Sequence, residues 1–220
     1  MGNETNPVYV VLGATGSIGW KVCERLSAKE AKLVVAARDE EKLDNLAAET
    51  NATSISLDAT SQKAVDRVFE AAKSEFGRID GAVNCVGSFL LKPAHKTCDR
   101  EFAEVMALNV NTAFNTIRSA VRYMDEGGSV VLMSSDAGRA GLANHEAIAA
   151  AKAAVIGLTL SSASTYMPRG LRFNAVAPGL VDPEDVAAAI EWLLEQPRIS
   201  GQVLGIDSPL NPTSQHDARG

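Results

Sequence analysis

The run Gly13-Ala14-Thr15-Gly16-Ser17-Ile18-Gly19 follows five apolar residues, Val8–Leu12, and leads into a stretch where Ile18, Val22 and Leu26 recur at helical spacing. A buried strand, a glycine-rich turn and an amphipathic helix are thus joined without a spare residue. Glycines at such a turn permit a tight bend, bring the backbone close to a pyrophosphate and let the helix pack against the strand. The helix start then presents unpaired N–H groups and the positive end of its dipole to phosphates. Gly13, Gly16, Ser17, Ile18 and Gly19 are therefore candidate dinucleotide-binding residues; a purely structural turn is the alternative.

The same alternation continues along the chain. Short apolar runs near 32–37, 53–57, 80–86, 128–133, 171–176 and 201–206 predict strands, and helical periodicity falls between them near 40–50, 60–76, 99–124, 144–166 and 184–195. Strands separated by helices pair in parallel through right-handed crossovers, with helices on both faces. The expectation is an α/β, doubly wound parallel sheet (a Rossmann fold) formed as a single domain over residues 1–208. Residues 209–220, which include Pro212 and are otherwise largely polar, are expected to be a loose C-terminal tail.

Composition narrows the partners. With 21 Lys+Arg against 27 Asp+Glu the formal charge is −6, which disfavours nucleic acid or an anionic membrane as the main partner. No uninterrupted apolar run reaches the roughly 18 residues of a membrane span, and the N-terminal residues lack the pattern of a signal peptide. Cys23, Cys85 and Cys98 are an odd number without close pairing, and only His95, His145 and His216 could join them. Neither a disulfide framework nor a metal site is expected. The expected setting is the cytoplasm.

The second strand ends at Ala36-Ala37-Arg38, about 20 residues beyond the last glycine of the turn. An acidic residue there would bond the 2′-hydroxyl of NAD, whereas Arg38 can pair with the 2′-phosphate of NADP. NADP is the expected cofactor. The competing reading of Arg38 is an ion pair with Asp39 or Glu40.

Further motifs resemble the short-chain dehydrogenase/reductase family along almost the whole chain. Asp58-Ala59 after the third strand resembles the family's adenine contact, and Asn84-Cys85-Val86-Gly87 its Asn-Asn-Ala-Gly motif. Asn109, Ser135 and Lys152 stand where the family carries its catalytic Asn, Ser and Lys. The stretch Arg169–Gly179 resembles the sixth strand with its Pro178-Gly179 turn, and Val181 follows among the cofactor contacts that the resemblance implies. Ser200–Leu204 with Asp207 resembles the last strand.

Three departures bear on chemistry. The turn has Ser17 where the family usually has its middle glycine, and Gly16 one place earlier. Ile148 stands four residues before Lys152, where the family carries the tyrosine that exchanges a proton with the substrate oxygen. An isoleucine has no such proton. Finally, Val181-Asp182-Pro183 leads straight into a helix where family members insert a lid.

Ser135 can bond a substrate oxygen or merely neighbouring backbone. Asn109 can organise a water or only a kink in its helix. Lys152, in apolar surroundings, can bond the nicotinamide ribose. His145, three residues before Ile148, is the candidate substitute acid because imidazole titrates near neutrality; a structural or exposed histidine is the alternative. Cys85 reads as a small motif residue, with no base nearby to activate it.

Two functions remain. One is an NADP-dependent oxidoreductase acting on a small carbonyl, alcohol or related substrate through an atypical active site. The other is a catalytically impaired NADP(H)-binding protein with a sensing or assembly role. The resemblance also implies a homodimer or homotetramer, packed through the small apolar stretch Ala147–Ala154.

Overall fold

The computed structural model describes residues 6–207. Its seven strands are β1 (Val8–Leu12), β2 (Lys32–Ala37), β3 (Thr53–Ser56), β4 (Gly81–Asn84), β5 (Gly128–Met133), β6 (Leu171–Pro178) and β7 (Val203–Ile206). They form one sheet in the order β3-β2-β1-β4-β5-β6-β7, every pair parallel. The strand order reverses between β1 and β4, which opens a crevice at their carboxyl ends.

The helices are α1 (Ser17–Ala28), α2 (Glu40–Thr50), α3 (Gln62–Phe76), α4 (Asp99–Met106), α5 (Thr112–Tyr123), α6 (Glu146–Tyr166) and α7 (Pro183–Glu195). Because side chains alternate along a strand, β1 feeds two cores. Val10 and Leu12 join Val65, Phe69, Ile117 and Val155 under α3, α5 and α6. Tyr9 and Val11 join Val22, Leu26, Leu43 and Ile190 under α1, α2 and α7. The expected doubly wound sheet is therefore present. The expected C-terminal tail lies outside the described residues.

One expected helix is broken. The periodicity over 99–124 predicts a single helix, but Ala107–Asn111 forms a π-helical segment between α4 and α5. The side chain of Asn109 donates from Nδ2 to the Val105 carbonyl at 2.9 Å and to Ser88 Oγ at 3.0 Å. Such bulges re-aim a side chain within an otherwise regular helix.

The connection from β6 to α7 is only Gly179–Asp182, so the short substrate side read from the sequence is real in the fold. Asp182 caps α7 by accepting from Glu184 N at 2.9 Å, and Pro183 occupies the first turn. The segment Glu146–Arg169 is long and apolar enough to cross a membrane by length and composition alone, which the search for unbroken apolar runs misses. Here it packs one face, including Ile148, Ala151 and Val155, inside the domain.

Candidate cofactor and active site

The glycine turn divides into positions the fold needs and one it does not. Gly13 has φ +74°, and a Cβ there would lie 2.7 Å from Val86 N. A Cβ on Gly19 would lie 2.4 Å from the Gly13 carbonyl oxygen. Both glycines are imposed by strand and helix backbone meeting. At Gly16 the nearest atom to a Cβ is the Gly13 oxygen at 3.4 Å, and φ is −74°, which any residue adopts. Protein packing does not explain this glycine; an approaching ligand does.

Gly16 also starts α1 without a side-chain cap, and the first turn carries no acidic residue. The N–H groups of that turn are therefore available to an anion. By contrast α2 is capped by Asp39 and α3 by Ser61.

A cavity of about 600 Å³ opens beside this turn and is lined by Gly13, Gly16, Arg38, Asp58, Ala59 and Gly87, among others. Six of the expected cofactor residues thus meet at the β1/β4 crevice. Among the described residues Arg38 has no ion-pair partner within 4.0 Å; Asp39 instead pairs with Lys42 at 3.2 Å. The alternative reading of Arg38 as a partner of Asp39 or Glu40 is overturned, because Asp39 is committed to capping α2.

Asp58 accepts from Thr60 N at 2.9 Å and Thr60 Oγ1 at 2.8 Å. Those bonds, with the charge of Arg38, hold its carboxyl below the usual range. The loop carrying it is fixed from beneath by Asn115, which the sequence reading overlooks. Asn115 is buried on α5 and donates to the carbonyls of Ala59 and Thr60, both at 3.0 Å. Its position on the inward face of a helix was the available signal.

Asn84 shapes the cavity wall without lining it: its Oδ1 accepts from Val86 N at 2.8 Å. Beyond it, a Cβ on Gly87 would lie 2.9 Å from Asn109 Oδ1 and 3.2 Å from Lys152 Nζ. Gly87, Asn109 and Lys152 therefore converge at the end of β4, as the resemblance implies. Lys152 is 6% exposed and donates to the Met133 carbonyl at 3.0 Å. Burial lowers its pKa to about 8.

Ser135 closes β5, but its hydroxyl donates to the Pro178 carbonyl at 3.2 Å and accepts from Ala137 N at 3.3 Å. It ties the ends of β5 and β6 together. Ile148, one turn before Lys152, is 2% exposed and packs with Val105, Ala147 and Ala151, against which Leu90, Met106 and Val110 also lie. The place of the missing tyrosine is filled by an apolar cluster.

His145 lies seven residues before Lys152, about 10 Å along the helix axis. Its Nδ1 is 2.7 Å from the Ala143 carbonyl, and its ring stands edge-on to Phe89 with centroids 5.6 Å apart. One nitrogen is thus committed to its own loop and the ring to the segment after β4. Tyr166 packs on Phe173 at 5.7 Å, far along α6. The Cys85 thiol is pushed up to about 12 by burial, so it is no nucleophile.

The remaining expected cofactor residues, Gly179 and Val181, line a second cavity of about 740 Å³ with Leu180, Asp182, Asp185, Ile206 and Asp207. A Cβ on Gly179 would lie 2.8 Å from both Asp136 Oδ2 and Asp207 Oδ1. Asp136 and Asp207 arrive from the ends of β5 and β7. Burial and the charge of Asp207 raise the pKa of Asp136 above the usual carboxylate value. The role of Asp136 was missed, although it directly follows Ser135. Among the described residues no group of three or more His, Cys, Asp or Glu could hold a metal ion.

A family model described as enoyl-(acyl carrier protein) reductase matches residues 13–191. Galactitol 2-dehydrogenase of Agrobacterium fabrum is 32% identical over 184 residues, covering 81% of this chain and 72% of the relative. The 3-hydroxyacyl-CoA dehydrogenase type-2 of Drosophila melanogaster is 28% identical, covering 93% and 97%. A short chain dehydrogenase from Mycobacterium smegmatis has a solved structure with TM-score 0.88 and 27% identity over 94% of each chain. ElxO with NADP bound shares the fold at TM-score 0.87, with 24% identity over 92% of this chain and 98% of that one. The family match takes in every expected site residue from Gly13 to Val181, and with the site geometry it shows that this chain belongs to the short-chain dehydrogenase/reductase family of oxidoreductases.

Proposed function

We propose that the protein binds NADP(H) and acts as an oxidoreductase on a small organic molecule. The observation that carries the cofactor choice is Arg38, exposed at the end of β2, lining the crevice and without an ion-pair partner among the described residues. Its guanidinium suits a phosphate dianion bidentately, and the neighbouring Ala37 leaves no carboxylate to repel it. The printed titles of ElxO structures with NADP and NADPH bound agree with this choice.

In this reading the N–H groups after Gly16 receive the pyrophosphate, Asp58 and Ala59 border the adenine, and Lys152 bonds the ribose hydroxyls next to Gly87. Gly179 and Val181 border the nicotinamide end. The bound dinucleotide supplies the hydride. Ser135 holds the β5 and β6 ends in place, and Ile148 excludes water from the apolar wall without exchanging a proton. A homo-oligomer in the cytoplasm completes the proposal; the exposed Phe114 on α5 and Leu160 on α6 are the apolar contacts it would cover.

Calorimetry tests it. NADPH should bind more tightly than NADH by about 10–100-fold, the worth of one charge-assisted pair, and Arg38→Ala should abolish the difference. Equal affinities in the wild type would refute the cofactor choice. The burial of Ile148 favours one second reading, an NADP(H)-binding protein with impaired catalysis and a sensing or assembly role. NADPH binding without oxidation across carbonyl, imine and activated-alkene panels would select it.

A further inference from the structure

Every proton source near the hydride end is accounted for. Ile148 occupies the acid's position inside a packed apolar cluster. The Ser135 hydroxyl already donates to the Pro178 carbonyl at 3.2 Å, and the His145 ring is held by Ala143 and Phe89. Lys152 is directed at the Met133 carbonyl at 3.0 Å and at the wall beside Gly87. Reduction of a neutral carbonyl builds negative charge on oxygen and needs a proton donor there. This end of the crevice offers no side chain dedicated to that task.

The charge around it has the opposite sign to what an alkoxide requires. The cavity beyond Gly179 is lined by Asp182, Asp185 and Asp207, and oxygens of Asp136 and Asp207 each come within 2.8 Å of the same would-be Cβ position on Gly179. Arg139 is the countercharge there, 3.7 Å from Asp136 and against Gly205. Carboxylates outnumber it. A field of this sign penalises a developing oxyanion and stabilises a cation before and after hydride transfer.

We propose that the substrate is an iminium cation, a C=N⁺ acceptor carried on a small apolar ring system. This deepens the oxidoreductase reading and rests on it. Hydride from the reduced nicotinamide dinucleotide forms a C–H bond at the iminium carbon. The C=N π pair becomes the nitrogen lone pair, giving a neutral amine and the oxidised dinucleotide. No proton enters or leaves, so an isoleucine in place of the acid costs the reaction nothing. The positive charge passes from substrate to nicotinamide, within the same acidic surroundings. Leu180, Val181 and Ile206 supply apolar surface for the ring.

The test compares N-methyl-3,4-dihydroisoquinolinium with 1-tetralone, a neutral ketone of matching ring size. With NADPH, the cation should be reduced at least about 100-fold faster in kcat/KM, the usual worth of the missing acid to the ketone. Calorimetry on the NADP⁺ complex should show the cation bound about 10-fold more weakly by Asp207→Asn, and separately by Asp136→Asn, than by the wild type. Thermal melts and unchanged NADPH affinity establish that each variant is folded. Ketone reduction as fast as that of the cation overturns the proposal, as does a protein that binds NADPH but neither binds nor reduces the cation. Failure to bind NADPH at all overturns the cofactor reading first and this proposal with it.

Discussion

Replacing Gly13 and Gly16 separately by alanine distinguishes what the fold requires from what the ligand requires. At Gly13 the left-handed backbone, φ +74°, costs an alanine about 1–2 kcal/mol. The approach to Val86 N at 2.7 Å adds a clash against backbone, worth about 1–3 kcal/mol. Together Gly13→Ala should lose about 2–5 kcal/mol, or roughly 4–20 °C in Tm for a domain of this size. At Gly16 the nearest atom is at 3.4 Å and φ is already −74°, so Gly16→Ala should leave Tm unchanged or raise it by a degree or two. Its added methyl nevertheless stands at the uncapped start of α1, where a pyrophosphate would need contact with backbone N–H groups. A displaced phosphate costs about 1–3 kcal/mol, so NADPH affinity should fall about 5–150-fold. Differential scanning fluorimetry and calorimetry measure the two effects independently. Unchanged NADPH affinity in Gly16→Ala would refute the assignment of this glycine to a ligand. A fall in Tm matching that of Gly13→Ala would refute the distinction itself.

Lys152→Met should change the pH dependence of stability. The folded pKa is lowered to about 8 from the model-peptide value of 10.5, so the folded state sheds a proton that the unfolded state keeps between those values. Lys152 therefore makes stability rise with pH across that window, by about 3 kcal/mol in all. Cys85 and Tyr9, whose pKa values are raised chiefly by burial, act in the opposite direction at high pH, so the measurement is the difference between wild type and variant in urea melts. A difference that is flat with pH would show that the ammonium is not desolvated in the free protein. Glu191→Gln should cost about 1–2 kcal/mol, because its largely buried carboxylate bonds Arg25 at 2.6 Å and Lys29 besides. Burial opposes ionisation of Glu191, but the hydrogen bonds from Lys29 and Arg25 prevail and lower its pKa. That contribution should disappear as pH falls through and below the ordinary glutamate range, seen as a wild-type advantage at pH 7 that vanishes in acid.

The parts of this fold that the sequence makes legible are those written in local pattern. Val8–Leu12 followed by glycines identifies β1, and the strand–helix alternation then implies a parallel sheet before any contact is known. The π segment at Ala107–Asn111 is illegible because helical apolar spacing runs straight through it; only the long-range bonds of Asn109 to Ser88 and Val105 reveal the break. Arg38 is half legible: its position gives the 2′-phosphate reading, but the choice against Asp39 depends on the cap that Asp39 makes for α2. Ile148 shows at once which hydroxyl is missing, yet not that Val105 and Ala151 close over the place. The convergence of Asp136 and Asp207 on Gly179 joins residues about 70 positions apart, beyond any local periodicity.

The two ends of the crevice are held by different means, which is why one can change without the other. The adenosine end is fixed by backbone: Gly13 against Val86, Asn84 on its own turn, and Asn115 beneath Ala59 and Thr60. None of these contacts involves the β6–α7 connection. At the other end α7 begins four residues after β6, and it is secured from the far side, by Arg25 and Lys29 of α1 binding Glu184, Glu191 and Glu195. A short connection therefore leaves α7 docked and the sheet covered, and the second cavity open at Leu180, which is 84% exposed. Lys152 spans the two ends, packed beneath Gly87 on one side and bound to Met133 on the other. Loss of the acid at Ile148 and of the lid after Gly179 thus alters which molecule can be reduced, while the grip on the dinucleotide is set elsewhere.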